Sequence, residues 1–99
     1  MEISVEFSGG LELMFDKQKN IQLTFDPKPD GTEFKLQDVI EALRVNHLKE
    51  KEEMFYQQGT VRPGIIVLVN DTDWELLDAE EYLLQNKDTV SFISTLHGG

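Results

Sequence analysis

Polar and apolar residues alternate from Glu2 to Phe7: Ile3, Val5 and Phe7 fall on one side, Glu2, Ser4 and Glu6 on the other. A period of two is that of a strand with one buried face. Gly9-Gly10 breaks the pattern. A short apolar segment, Leu11 to Phe15, and a polar turn from Asp16 to Asn20 follow. Ile21, Leu23 and Phe25 then alternate with Gln22 and Thr24, which predicts a second strand. The two strands are expected to pair as an antiparallel hairpin with a long connection. Asp26-Pro27-Lys28-Pro29-Asp30-Gly31 is dense in turn residues and ends the second strand. Next the period changes. Leu36, Val39, Ile40 and Leu43 stand at i, i+3, i+4 and i+7, the stripe of an amphipathic helix of about 12 residues. His47 continues that stripe as a half-buried core histidine, and the helix is expected to end near Leu48.

Met54, Phe55 and Tyr56 return toward the core, and Gln57 to Thr60 read as a loop. Arg62-Pro63-Gly64 turns into Ile65-Ile66-Val67-Leu68-Val69. That unbroken apolar run suits a strand covered on both faces, or one covered on one face with an apolar residue left on the other. Asn70 to Asp73 is turn-like. Trp74, Leu76 and Leu77 precede an acidic segment, Asp78 to Glu81, then Tyr82, Leu83 and Leu84. Asn86-Lys87-Asp88 is a further turn, and Thr89 to Thr95 is the last strand, with Val90 and Phe92 on one face. Strands at both ends of the chain, with a helix crossing between them, make an α+β domain. The order fits a β-grasp architecture: a mixed four- to five-stranded sheet packed on one main helix. A split βαβ ferredoxin-like fold needs a second helix, and the segment from Asp78 to Leu84 is short for one. Residues 1–95 form the expected domain and residues 96–99 a flexible tail.

Composition narrows the function classes. Ninety-nine residues make one domain, which buries about 60–70% of the surface of its unfolded chain. The net charge is −10, from 19 acidic and 9 basic residues. Phosphate backbones are repelled by such a field, so direct nucleic-acid binding is disfavoured and a basic partner surface is attracted. There is no cysteine, which excludes a disulfide, a thiolate nucleophile and a cysteine metal site. No apolar stretch approaches the roughly 18 residues of a membrane span. The start Met1-Glu2-Ile3-Ser4 carries no signal-peptide pattern, so the cytoplasm or nucleus is the expected location.

Most familiar constellations fail on inspection. Asp71, Asp73 and Glu75 alternate as in a calcium loop, but the required glycine and glutamate positions hold Leu76 and Tyr82. His47 and His97 are the two histidines, too few for a structural zinc site without cysteine. Gly59-Thr60-Val61-Arg62-Pro63-Gly64 lacks the lysine of a phosphate loop, and Pro63 removes an N–H donor. The chain is therefore not expected to bind ATP by itself. Trp74 is expected at the core or its edge, and Met14, Phe15, Met54, Phe55 and Tyr56 mostly in the core. Any of these left exposed on the sheet would form a docking patch.

The terminus is different. The sequence ends in Gly98-Gly99, a pair that about 7% glycine usage places there by chance roughly once in 200. From Leu96 to Gly99 an extended tail reaches roughly 13 Å beyond the last strand. Glycine is thin enough to thread a narrow cleft. A carboxylate is a poor electrophile until an ATP-using partner adenylates it. A persulfide, a thiol or a lysine amine can then attack, and glycine hinders that attack least.

Three stretches carry a resemblance. Val5-Glu6-Phe7 with Gly9-Gly10 is one. The run from Val61-Arg62-Pro63-Gly64 through Asn70-Asp71-Thr72-Asp73-Trp74-Glu75-Leu76 is the second. Phe92-Ile93-Ser94-Thr95-Leu96-His97-Gly98-Gly99 is the third. Together they resemble the eukaryotic ubiquitin-related modifiers, the sulfur-carrying branch of the ubiquitin-like proteins. The resemblance implies a β-grasp fold. It implies adenylation of Gly99 by an E1-like enzyme carrying a rhodanese domain, then conversion to a thiocarboxylate. ATP and the persulfide sulfur come from that enzyme, and Leu96, His97 and Gly98 thread it. The sulfur passes to the wobble uridine of tRNA through a separate thiolase complex. The same terminus is implied to join lysines of target proteins, peroxiredoxins among them. The chain itself is then a consumed co-substrate and not an enzyme. The docking surface is expected on the sheet face near Leu96. Two alternatives stand beside this: a ubiquitin-like interaction module with an inert tail, and a sulfur carrier for molybdopterin or thiamin synthesis.

Overall fold

A computed structural model describes residues 1–49 and 51–94. Strand β1 (Glu2–Ser8) and strand β2 (Asn20–Thr24) pair antiparallel, with Ile3 opposite Leu23 and Val5 opposite Ile21. The long connection between them holds a 3-10 turn, Leu11–Phe15, whose Leu11 and Phe15 are buried. Helix α1 (Leu36–Asn46) buries Leu36, Val39, Ile40 and Leu43, the stripe that its period predicts. Its first turn is held by the Asp38 carboxylate, which accepts from the Lys35 N–H at 2.8 Å. The Leu36 N–H donates to Tyr82 and the Leu84 N–H to Phe34, so the helix entry is stitched to the segment before the last strand. His47 caps the other end half-buried, its N–H on the Leu43 carbonyl.

Strands β3 (Tyr56–Gln57) and β4 (Thr60–Val61) form a small hairpin of their own where the sequence reads as a loop. Gln58 and Gly59 both take positive φ, 52° and 87°, the backbone of a tight two-residue hairpin turn. Strand β5 (Ile65–Val69) is followed by β6 (Thr72–Asp73), and β7 (Thr89–Ser94) ends the described chain. The sheet order is β2-β1-β7-β5-β6. β1 and β7 run parallel; the other neighbours are antiparallel. This mixed five-stranded sheet with α1 across one face is the β-grasp arrangement; the ferredoxin-like alternative is excluded because 3-10 turns, Trp74–Leu77 and Ala79–Glu81, stand where its second helix would be. Asp78, at φ 73°, separates those turns and keeps them from merging into a helix.

The core lies between sheet and helix. Ile3, Val5, Phe7, Val67, Val69, Val90 and Phe92 supply the sheet side. Four rings lock it together. Phe7 stacks on Phe15 at 4.1 Å and lies 5.9 Å from Phe92, while Phe55 meets Phe15 and Phe92 edge-on at 5.2 and 5.5 Å. Aromatic pairs at these separations each add about 0.5–1.5 kcal/mol beyond burial. Trp74 packs at the core edge, Met14, Met54 and Tyr56 are partly buried, and Leu76 is 78% exposed. Among the described residues no helix is long and apolar enough to cross a membrane.

One glycine sits at a close approach. Gly9, at φ +72°, follows β1 and faces the end of β7; a Cβ there would lie 2.3 Å from the Ser94 carbonyl oxygen. Gly10 has open space around its own Cβ position. Gly9→Ala is expected to cost roughly 3 kcal/mol through clash and strain together, and Gly10→Ala about 1 kcal/mol through φ alone. Urea denaturation of the two variants checks the difference.

Candidate functional site

The expected reactive residue Gly99 and the tail residues Leu96, His97 and Gly98 lie outside the described residues, as does Thr95 at the end of the last predicted strand. The structure describes the strand that precedes them in the chain. β7 is the middle strand of the sheet, held on one side by β1 and on the other by β5. Its final described residue, Ser94, is the register partner of Ile65, and Ile93 stands opposite both Ser8 and Ile66. The Gly9 backbone closes over the Ser94 carbonyl. Ile93 and Ser94 are thus held by two separate parts of the chain, β5 on one side and the end of β1 with Gly9 on the other.

The face of the sheet away from α1 carries a small apolar patch beside Ser94. Ile66 is 40% exposed, and Leu68 and Ile93 are half-buried. Register places Ile66 against Ile93 and Leu68 against Ser91. Strand alternation puts all four side chains on one face. Of the two environments open to the run Ile65 to Val69, the second is found: one face covered, with Ile66 left outside. The sequence pattern alone did not say which residue that would be, because the answer depends on register with β7. Gly9's role was missed for the same reason, since its partner carbonyl lies far away in sequence.

The ionisable groups with shifted behaviour are structural. Glu41 is held below its ordinary range, first by the Tyr56 hydroxyl at 2.6 Å and then by Arg44, whose guanidinium also lies over the Tyr56 ring. Tyr56 is correspondingly pushed up by Glu41. This network ties α1 to the β3–β4 hairpin. Asp88 is 5% exposed and accepts from Tyr82 Oη, Asn70 Nδ2 and the Gln85 N–H at 2.7–2.9 Å. Burial, then Asp88, pushes the Tyr82 phenol up to about 12. The glycine-rich stretch from Gly59 is engaged in the hairpin and in a bond from the Arg62 N–H to Phe55, which leaves no open cradle of amides there. Asp71 lies in the β5–β6 turn, and Asp73 caps the 3-10 turn Trp74–Leu77 by accepting from the Glu75 N–H. Among the described residues no cluster of His, Asp and Glu could hold a metal ion.

Comparison with known proteins decides the family. The family model described as "Urm1 (Ubiquitin related modifier)" matches residues 2–99. The chain belongs to the ubiquitin-related modifier family. It is 52% identical to a ubiquitin-related modifier 1 homolog of Dictyostelium discoideum, over 100% of both chains. It is 48% identical to ubiquitin-related modifier 1 of Bos taurus, over 100% of this chain and 96% of that one. The solution structure of Urm1 from Trypanosoma brucei superposes with a TM-score of 0.81 at 46% identity, covering 99% of this chain and 95% of that one. Membership confirms the ubiquitin-like β-grasp fold expected from the element order. The family match also runs through the tail, although the described structure stops at Ser94.

The Asp88–Tyr82 pair gives a pH signature. A phenol whose folded-state pKa is raised contributes stability that is complete below pH 10 and is lost as pH climbs toward about 12. Tyr56 acts in the same direction. The urea midpoint is therefore expected to fall steadily across that window, and Tyr82→Phe to flatten the fall in part. At neutral pH the same variant should lose about 1 kcal/mol, because Asp88 loses a donor.

Proposed function

We propose that this chain is a sulfur carrier and protein modifier whose Gly99 carboxylate is the reacting group. The observation that carries the reading is a family match that extends to Gly99, on a fold that anchors the root of the tail at Ser94. The carboxylate attacks the α-phosphate of ATP on an E1-like enzyme, and pyrophosphate leaves. A persulfide of that enzyme's rhodanese domain attacks the acyl-adenylate carbonyl, and AMP leaves. A second thiol of the enzyme attacks the enzyme cysteine's own sulfur in the resulting acyl disulfide; the S–S bond breaks, an enzyme disulfide forms, and the outer sulfur leaves with Gly99 as the thiocarboxylate. Leu96, His97 and Gly98 thread the enzyme's cleft. Gly98 and Gly99 put the least bulk beside the reacting carbonyl. A tRNA thiolase complex then moves the sulfur to the wobble uridine. Attack of a target lysine on the activated terminus joins the chain to proteins, peroxiredoxins among them.

The surroundings agree with a co-substrate that is handled by partners. The chain brings no thiol, and its charge of −10 favours a basic partner over direct contact with tRNA. The patch of Ile66, Leu68 and Ile93 beside the tail root is the surface on which the activating enzyme docks.

Incubation with the E1-like enzyme, ATP and a sulfur donor should replace one oxygen of the terminal carboxylate by sulfur in the intact mass. Deletion of Gly99 should abolish that change and leave the thermal midpoint unchanged. An unchanged mass with a demonstrably active enzyme would sink the proposal. Ile66→Asp should weaken activation about tenfold or more through KM, since a charge is buried at an apolar contact. Cells lacking the chain should lose tRNA thiolation while keeping molybdopterin, which separates this function from a cofactor-biosynthetic carrier.

A further inference from the structure

The two edges of the sheet are built differently. At one edge, β6 is two residues long, includes Asp73, is flanked by Asp71 and Glu75, and runs directly into a 3-10 turn. Short strands and charges are the usual protection of an edge. At the other edge, β2 has five regular residues, Asn-Ile-Gln-Leu-Thr, with no charge and no proline. It also pairs in uninterrupted register with β1. The bonding phase of that ladder is set at its ends. Met1 and Phe25 exchange both main-chain bonds, at 2.8 and 3.0 Å, and the Phe7 N–H donates to Lys19. In an antiparallel ladder the bonded pairs alternate, so odd-numbered residues of β2 bond to β1. The N–H and C=O groups of Asn20, Gln22 and Thr24 therefore point outward, and no described strand lies beyond them.

A cleft opens where this edge ends. Phe25, directly after β2, lines a cavity of about 380 Å³ together with Met1, Pro27, Phe34 and Leu84. The cavity has room for a large apolar side chain. Its lining carries Glu33 and also Lys28, which is held by Asp38 and lies over the Phe34 ring. The Met1 ammonium is engaged by the Phe25 carbonyl.

We infer that β2 is a docking edge for an extended, basic segment of a partner polypeptide. The segment adds as a sixth strand, bonds to Asn20, Gln22 and Thr24, and places a large apolar side chain in the Phe25–Phe34 cleft. Main-chain bonds give such strand addition its affinity and the side-chain pocket its selectivity. Charge chooses the partner: a body of −10 attracts lysine and arginine. A second copy of this chain is a poor occupant. It brings the same charge, and two five-residue edges cover far less than the roughly 1,000 Å² that a stable dimer needs.

The test uses the whole protein and a short synthetic peptide of alternating valine and threonine, with lysine at both ends and leucine at one valine position. On saturation, amide exchange at Asn20, Gln22 and Thr24 should slow about tenfold or more, with shifts at Phe25 and Phe34. The same peptide N-methylated at alternate residues should bind about tenfold or more weakly, since outward donors and acceptors lose their partners. Replacing its lysines by aspartate should abolish binding. Gln22→Pro removes an outward N–H while sparing every bond to β1, so the fold should persist and binding should be lost. Should that variant fail to fold, Gln22→Lys, which places a like charge on the edge, should still weaken binding of the basic peptide. Three results overturn the inference: no protection at β2 with the peptide at millimolar concentration, equal binding of the N-methylated peptide, or self-association of the protein through β2 without peptide.

Discussion

The parallel pairing of β1 with β7 is the constraint on which the rest of this molecule depends. Two strands from opposite ends of a chain cannot run side by side in the same direction without a long crossover between them. Here that crossover contains α1, and its apolar stripe covers the sheet face that the two strands expose together. The right-handed sense of such crossovers confines the helix to one face. With that face filled, the other is left to solvent, where β5 shows Ile66. The pairing also brings Phe7 within 5.9 Å of Phe92, and Phe15 and Phe55 close around them. A core of this kind assembles only when both ends of the chain have arrived.

Each end of β7 has its own lock. At the start, Asp88 gathers Tyr82, Asn70 and the Gln85 N–H, while its carbonyl takes the Ser4 N–H and Asn70 Oδ1 takes the Thr89 N–H. A buried carboxylate is tolerable because these donors replace water. At the far end, Gly9 admits the Ser94 carbonyl at a distance that no side chain would permit. Between the locks the strand is paired on both sides. The position of Ser94 is therefore set by the whole sheet.

The sequence displays the parts of this arrangement that have a period. Alternation marked β1 and β2, and the spacing of Leu36, Val39, Ile40 and Leu43 marked α1 to within a residue or two. Elements without a period were invisible. A strand of two residues, such as Tyr56–Gln57, has no alternation to detect, and the positive φ of Gln58 is not written in its chemistry. The 3-10 turns after Trp74 are too short to form a stripe. Features that need two distant segments were also hidden: which of Ile65 to Val69 faces out, and why position 9 must lack a side chain. The candidate site divides along the same line. The chemistry proposed for it rests on Gly98-Gly99, which the sequence displays, whereas the fixing of Ser94 emerges only from the pairing of β7.

That pairing decides the sheet's edges as well. Placing β7 between β1 and β5 sends β2 and β6 to the outside, and the chain treats them unequally. β6 is cut to two residues, one of them Asp73, beside Asp71, while β2 keeps a full, uncharged ladder face. Edge protection is a matter of solubility in a protein of net charge −10, where electrostatic repulsion already discourages association with copies of itself. The same repulsion vanishes toward a basic partner. An acidic body can therefore leave one edge open without inviting its own aggregation, and the charge that guards against self-pairing selects what the edge will accept. The tail root and the open edge lie on opposite sides of β1, so occupation of one leaves the other accessible.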